Sequence, residues 1–333
     1  MSHQVVSIPG DGIGTEVTAA ARRVLDASGV TIDWETREAG GDVIGRYGTP
    51  LPQDTVGAVK RAGVALKGPI TTPIGSGFRS VNVQLRQDLD LYANFRPARS
   101  LPGVPSRFEN VDLIVIRENT EGLYSGLEHI VVPGVVESLR IVTETGSERI
   151  IRFAFRIARE LGRKKVTAVH KANILKLSDG LFLSVARRVA REFGEIEYEE
   201  TIVDATAMRL VQDPSRFDVL VMENLFGDIL SDLTSGLIGG LGMAPSANLG
   251  EKTAMFEAVH GSAPDIAGQG VANPTALILA GAMMLRHLGE DEAADRVESA
   301  VRDTISGGKT MTRDLGGSAS TDEYTGALIA ALG

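Results

Sequence analysis

The chain has 333 residues, 43% of them hydrophobic and 23% charged, with a net charge of -9. This length allows one large or two modest domains with a sizeable core, and the acidic balance argues against nucleic acid as a main partner. Cysteine is absent, which excludes disulfides, thiolate catalysis and zinc-thiolate sites. No signal-like leader or membrane-length apolar run is visible, so a cytoplasmic protein without a membrane partner is expected.

A strand is predicted at 5–8 and a helix at 16–27, joined by Gly10-Asp11-Gly12-Ile13-Gly14. The spacing invites a dinucleotide fingerprint, but Thr15 stands where its third glycine belongs, so a tight strand-to-helix turn is the better reading. Further on, Val81, Leu85 and Leu89 make an apolar helical stripe with Asn82 and Arg86 four apart beside it. Ser80 falls where an N-cap would, at a helix end that also attracts anions. Arg96, in Asn94-Phe95-Arg96-Pro97, and Arg117, after a strand at 111–116, add guanidinium forks that match carboxylates. Each alone also reads as a surface ion pair. Tyr124 is a candidate proton donor, although an isolated tyrosine commonly serves packing.

Beyond a helix at 147–161, the strand at 165–169 runs into His170-Lys171-Ala172-Asn173. A partly desolvated Lys171 has the chemistry of a base. A helix follows at 178–192, and Asp204 is expected to cap a strand at 198–203. The strand at 218–222 precedes Asn224-Leu225-Phe226-Gly227-Asp228-Ile229-Leu230-Ser231-Asp232, with a helix over 228–241. On it Asp228 and Asp232 share a face, and their mutual repulsion calls for an offset that Mg²⁺ or Mn²⁺ would supply. A solvated acidic face is the plainer alternative for such a pair. The glycines from Gly239 to Gly242 suit a crossing between domains. The loop His260-Gly261-Ser262-Ala263-Pro264-Asp265-Ile266 is too apolar for open solvent and suits wrapping a ligand. Helices at 277–288 and 291–305 follow.

Alternating strands and helices indicate α/β architecture. The polar clusters at Arg117, Lys171, Asp204 and Asp228 each follow a strand. Ligands of open α/β sheets bind beyond the carboxyl ends of strands, so one shared site is expected.

These motifs, in this order, resemble the isocitrate/isopropylmalate dehydrogenase family of β-decarboxylating dehydrogenases nearly end to end. The resemblance includes Ile8-Pro9-Gly10-Asp11-Gly12-Ile13-Gly14, Arg117-Glu118-Asn119-Thr120-Glu121-Gly122-Leu123-Tyr124 and His260-Gly261-Ser262-Ala263-Pro264-Asp265. It implies a two-domain α/β fold on a continuous mixed sheet rather than a standard Rossmann domain. The large domain would combine 1–98 with 245–333, and 99–244 would form a small dimerising domain. It implies a homodimer, or a higher oligomer, with shared active sites. The Ser80, Asn82 and Arg86 pattern is similar to that of isocitrate dehydrogenases, whose serine and asparagine reach the substrate γ-carboxylate. Isopropylmalate enzymes are apolar there, and homoisocitrate enzymes arginine-rich and aromatic. NAD-linked isocitrate oxidation is therefore implied, with homoisocitrate and then 3-isopropylmalate as alternatives. The non-enzyme alternative is a regulatory subunit.

The same resemblance implies roles for single residues. Arg86, Arg96 and Arg117 would bind substrate carboxylates, Tyr124 would act as acid, and Lys171 with Asp204 would come from the neighbouring subunit. Asp204, Asp228 and Asp232 would hold Mg²⁺ or Mn²⁺. The NAD site would involve Ile70, Thr72, Glu257, His260, Gly261, Ser262, Ala263, Asp265, Ile266 and Asn273. NADP-linked relatives carry lysine and tyrosine at the positions of Asp265 and Ile266, so this pair implies NAD.

Overall fold

The structure is a computed structural model that describes residues 2–71 and 79–333. The strands are β1 (His3–Ile8), β2 (Ile32–Thr36), β3 (Val64–Lys67), β4 (Ala93–Arg99), β5 (Asp112–Glu118), β6 (Gly122–Val132), β7 (Val135–Ile141), β8 (Lys165–His170), β9 (Glu197–Ile202), β10 (Val219–Met222), β11 (Pro245–Leu249) and β12 (Ala254–Ala258). The helices are α1 (Gly14–Ala27), α2 (Ile44–Tyr47), α3 (Gln53–Ala62), α4 (Val81–Asp88), α5 (Glu144–Glu160), α6 (Ser178–Ala190), α7 (Val203–Gln212), α8 (Asn224–Leu237), α9 (Thr275–His287), α10 (Asp291–Gly307) and α11 (Thr321–Ala331).

Ten strands form one sheet in the order β2-β1-β3-β12-β11-β4-β5-β10-β8-β9. Two parallel blocks, β2-β1-β3-β12 and β5-β10-β8-β9, meet through β11 and β4, which pair antiparallel with each other and with their outer neighbours. The expected continuous mixed sheet is therefore present. β3, β10 and β12 are buried along their whole length, as a sheet covered on both faces requires. Apolar residues of α1, α9, α10 and α11 cover one face of the first block, and those of α3 and α4 the other. α5 and α6 pack on the second block. β6 and β7 stand apart as a hairpin, with Leu127, Ile130, Val132, Val136 and Leu139 exposed. Among the described residues no helix is long and apolar enough to cross a membrane.

The glycine turn after β1 behaves as its sequence predicts. Gly10 and Gly12 have φ of +78° and +58°. A Cβ on Gly10 would lie 2.0 Å from the Pro69 carbonyl oxygen, and one on Gly12 2.1 Å from that of Ser262. The turn thus draws two distant loops against β1. Asp11, 4% exposed, fixes it by accepting N–H bonds from Gly41 at 2.9 Å, Asp42 at 3.1 Å and Thr71 at 2.7 Å.

Most element ends shift by a few residues from expectation, and two of these differences bear on the site. α8 starts at Asn224, four residues before Asp228, because the Glu223 side chain caps it by accepting from Leu225 and Phe226 N–H. The strand expected to end at Val203 ends at Ile202, and Val203 opens α7, so Asp204 lies in a helical first turn instead of capping a strand. An anion is favoured there by the helix dipole.

Asp11→Ala strips three part-buried N–H bonds of their charged acceptor. Urea unfolding is expected to show a loss of about 2–3 kcal/mol, and an unchanged midpoint would show that the turn holds without its carboxylate.

Candidate active site

Three arginines converge beside the start of α8. Arg117, at the end of β5, is 1% exposed and donates from Nε and Nη2 to the Asn224 side-chain oxygen at 3.0 and 2.7 Å. Its Nη1 donates to Asp228. Gly227 makes this approach possible, because a Cβ there would lie 2.5 Å from Arg117 Cγ. Arg96, inside β4, donates from Nη1 to Ser231 Oγ at 2.6 Å and to Asp232 at 3.2 Å. Arg86, on α4, pairs with Glu257 at 3.3 Å. Burial, followed by repulsion from Arg86 and Arg96, lowers the Arg117 pKa to about 10. Burial and Arg86 also pull Arg96 down. Among the described residues, Nε of Arg86 and Nε of Arg96 are buried without a hydrogen-bond partner, as is the Asn82 side-chain oxygen. A buried charged donor left unpaired costs more than a neutral one, so this corner favours an anionic acceptor.

The carboxylates respond unequally. Burial pushes Asp228 up, but Arg117, the Tyr124 hydroxyl and Arg96 together hold it below its ordinary value. Asp232 is raised, by burial first and against the pull of Arg96, with repulsion from Asp228 adding to it. The offset expected from a cation is supplied in this structure by Arg96 and Arg117. Hard carboxylate oxygens one helical turn apart, one of them on a half-exposed side chain, are a fitting donor set for Mg²⁺ or Mn²⁺. Tyr124 donates to Asp228 and lies with its ring centroid 5.0 Å from the Arg117 guanidinium carbon. Burial and that hydrogen bond raise its pKa, keeping the phenol protonated.

Lys171 and Asp204 pair with each other. Among the described residues no hydrogen bond or ion pair joins them to Asp228 or Asp232, and no three metal-ligating groups gather. The single shared site expected from the strand ends is therefore two clusters in one chain. The reason is geometric: β8 and β9 are the outermost strands of their block, while β5 and β10 lie further in.

A cleft of about 740 Å³ brings together His260, Gly261, Ala263, Ile266 and Asn273 with Ile13, Gly242, Arg313 and Asp314. Among the described residues, His260 Nε2 is buried there without a partner. Asn273 donates to Asp314 at 2.9 Å, and Ser262 Oγ lies 2.6 Å from Thr71 Oγ1. Asp265 is exposed, between residues that line the cleft. Ile70 is buried in the packing around α3 and α4. Ser80 is the N-cap residue of α4. Thr72 lies outside the described residues. Nothing in the sequence singles out Arg313 and Asp314; only their arrival beside Asn273 marks them.

Glu257 sits beneath the arginines, in a buried network. Lys67 approaches it at 2.6 Å and Asn248 donates to it at 2.6 Å. Asn248 in turn accepts from Asn94 and Asn119, each at 3.0 Å. Burial opposes ionisation of Glu257, but Lys67 and Arg86 outweigh it and bring the pKa to about 2.

The structure thus presents two candidate binding regions on an α/β fold: buried arginines over a helix with two carboxylates, and a cleft lined by His260, Gly261 and Asn273. The profile of the isocitrate/isopropylmalate dehydrogenase family matches residues 4–328, and the chain belongs to that family. It is 54% identical to an Arabidopsis thaliana NAD isocitrate dehydrogenase catalytic subunit 5, over 96% of this chain and 86% of that one. A Dictyostelium discoideum NAD isocitrate dehydrogenase regulatory subunit is 50% identical, over 98% and 91%. A Solanum tuberosum 3-isopropylmalate dehydrogenase is 54% identical, over 90% and 85%. The crystal structure of isocitrate dehydrogenase from Methylococcus capsulatus matches with a TM-score of 0.96 at 53% identity, covering 99% of both chains.

The depressed Glu257 pKa contributes stability above its ordinary value of 4.5 that is lost as pH falls toward about 2. Unfolding free energy measured between pH 5 and 2 is expected to fall more steeply in the wild type than in Glu257→Gln. Parallel slopes would remove Glu257 from the acid response.

Proposed function

We propose that this protein oxidatively decarboxylates isocitrate to 2-oxoglutarate and CO₂ while reducing NAD⁺, as a homodimer with shared active sites that depends on Mg²⁺ or Mn²⁺. The observation that carries the reading is the pair of buried Nε–H groups on Arg86 and Arg96, without a partner among the described residues, beside Asp228 and Asp232. Ser80, the N-cap of α4, and Asn82, one turn before Arg86 on it, favour a third carboxylate over an isopropyl group. The presence of Tyr124, Lys171, Asp204, Asp228 and Asp232 together favours an enzyme over a regulatory subunit.

In this reading Arg86, Arg96 and Arg117 bind and orient the substrate carboxylates, and their burial strengthens each pairing. Asp228 and Asp232, with Asp204 of the partner subunit, would hold the divalent cation. When bound, the cation supplies a Lewis acid at the C2 oxygen, and NAD⁺ supplies the hydride acceptor. Lys171 of the partner subunit takes the C2 hydroxyl proton as hydride leaves C2. The C3 carboxylate departs as CO₂, its bonding electrons passing to the C2 carbonyl, and the Tyr124 hydroxyl then returns a proton to C3. The separation of Lys171 and Asp204 from Asp228 within one chain supports supply in trans. The exposed apolar face of the β6–β7 hairpin offers the surface on which a second copy would pack. The glycine-lined cleft, with His260 and Asn273, fits the nucleotide.

Initial rates of the purified protein alone should show turnover of isocitrate with NAD⁺, abolished by excess chelator and largely lost in Asp228→Asn, whose neutral amide is a poor ligand for a hard cation. Full activity in chelator would remove the metal, faster turnover of 3-isopropylmalate or homoisocitrate would change the substrate, and no turnover with any of them would favour the regulatory role.

Cofactor preference rests on Asp265 in this proposal. A carboxylate there accepts from ribose hydroxyls and repels a 2′-phosphate. The kcat/KM ratio is expected to favour NAD⁺ over NADP⁺ by about 10²-fold, roughly 2.7 kcal/mol. Asp265→Lys with Ile266→Tyr should move it toward NADP⁺; an unmoved ratio would place the discrimination elsewhere.

A further inference from the structure

Arg140, on β7, joins two parts of the molecule that the proposed chemistry uses separately. Its Nη1 donates to Asp179 Oδ1 at 2.5 Å and Ser178 Oγ at 2.9 Å, in the first turn of α6. Its Nε lies 3.6 Å from Glu223 Oε2, and its guanidinium carbon 5.3 Å from the Phe226 ring centroid. The two carboxylates it meets are buried, Asp179 at 2% and Glu223 at 6% exposure. Among the described residues no other cation is paired with either.

Each carboxylate has a second task. Asp179 Oδ2 accepts the Lys171 backbone N–H at 2.5 Å, which fixes where the turn presenting Lys171 begins. Glu223 accepts from Phe226 N–H at 3.0 Å and Leu225 N–H at 3.2 Å, capping the helix that carries Asp228 and Asp232. The first residue of that helix, Asn224, is the acceptor for Arg117. Removing Arg140 would leave two buried carboxylates without a countercharge, a penalty relieved only by local rearrangement.

We propose that Arg140 is a positioning residue that ties the turn presenting Lys171 to the helix presenting Asp228 and Asp232. The consequence rests on the shared-site reading above: because Lys171 serves the neighbouring subunit while Asp228 serves its own, one arginine sets the geometry of two active sites. The hairpin strand that carries it lies where the second copy would pack, so intersubunit contact bears on both.

Two measurements test this. In Arg140→Gln, backbone amide exchange at Lys171, Leu225 and Phe226 should rise by about 10-fold or more, with exchange in α9 and α10 unchanged. Arg140→Lys, which keeps the charge, should recover part of the protection. Exchange rising uniformly, or at only one of the two places, overturns the tie.

The second uses mixed dimers of one Lys171→Met and one Tyr124→Phe subunit, in which one site keeps both residues. Arg140→Gln placed in either subunit should lower kcat about 10-fold or more with little change in the isocitrate KM, as for partners that orient catalytic groups. Loss in one placement only, or in neither, overturns the two-site coupling. If Arg140→Gln does not fold, Arg140→Lys in the same placements should give smaller losses in both. An inactive mixed dimer with Arg140 intact overturns the shared-site reading and the coupling with it, while the exchange result still decides the tie within one subunit.

Discussion

The buried guanidinium of Arg117 is the interaction on which the site depends. A cation this deep is costly unless well paired, and Arg117 is well paired: two bonds to Asn224, one to Asp228, and the Tyr124 ring alongside. Each partner is thereby placed. Asn224 also donates to the Glu121 carbonyl oxygen at 3.1 Å, linking α8 to the segment that leads into β6 and Tyr124. Gly227 lets the side chain pass over the helix. The strand end, the helix and the tyrosine are therefore tied together through one side chain, which sets the geometry among Arg117, Tyr124 and Asp228.

The sheet explains why these groups can meet. β11 and β4 run antiparallel between two parallel blocks, so residues from opposite ends of the chain become neighbours. Asn94 faces Ser246 at 2.8 Å, and Glu257 reaches Arg86 across 171 positions of sequence. Beside its apolar residues the seam carries buried amides and an ion-paired glutamate. Such a network specifies one register, because a slip would leave several buried polar groups unsatisfied together.

That seam is also where sequence reading fails. The strands at 111–116, 165–169 and 218–222 are legible because burial on both faces gives continuous apolar runs. β4 and β11 are not, because Asn94, Arg96, Ser246 and Asn248 are buried polar residues that break any apolar period. The β6–β7 hairpin escapes for the opposite reason, its apolar residues being exposed. The start of α8 precedes its expected place because glutamate is a less common cap than aspartate or serine. The arginines and the Asp228 pair are legible as residue types, and the family resemblance joins them. Their burial is not, since an isolated arginine reads as a surface group. Glu257 shows the remaining limit: a resemblance can carry a role onto a position, while the ion pairs that set its charge emerge only once Lys67 and Arg86 are packed against it.

Charge balance relates the substrate proposal to the whole chain. The protein is acidic overall, yet Lys67, Arg86, Arg96 and Arg117 gather four positive charges in one corner against three carboxylates, Glu257, Asp228 and Asp232. The corner is thus left with a single positive excess inside an acidic chain, and an uncompensated charge at this depth costs several kcal/mol, so anionic groups are drawn to it. The count does not choose among anionic substrates of the proposed class: once Lys171 is neutral, as the base of the proposed reaction must be, Asp204 adds a negative charge and the balance shifts by one.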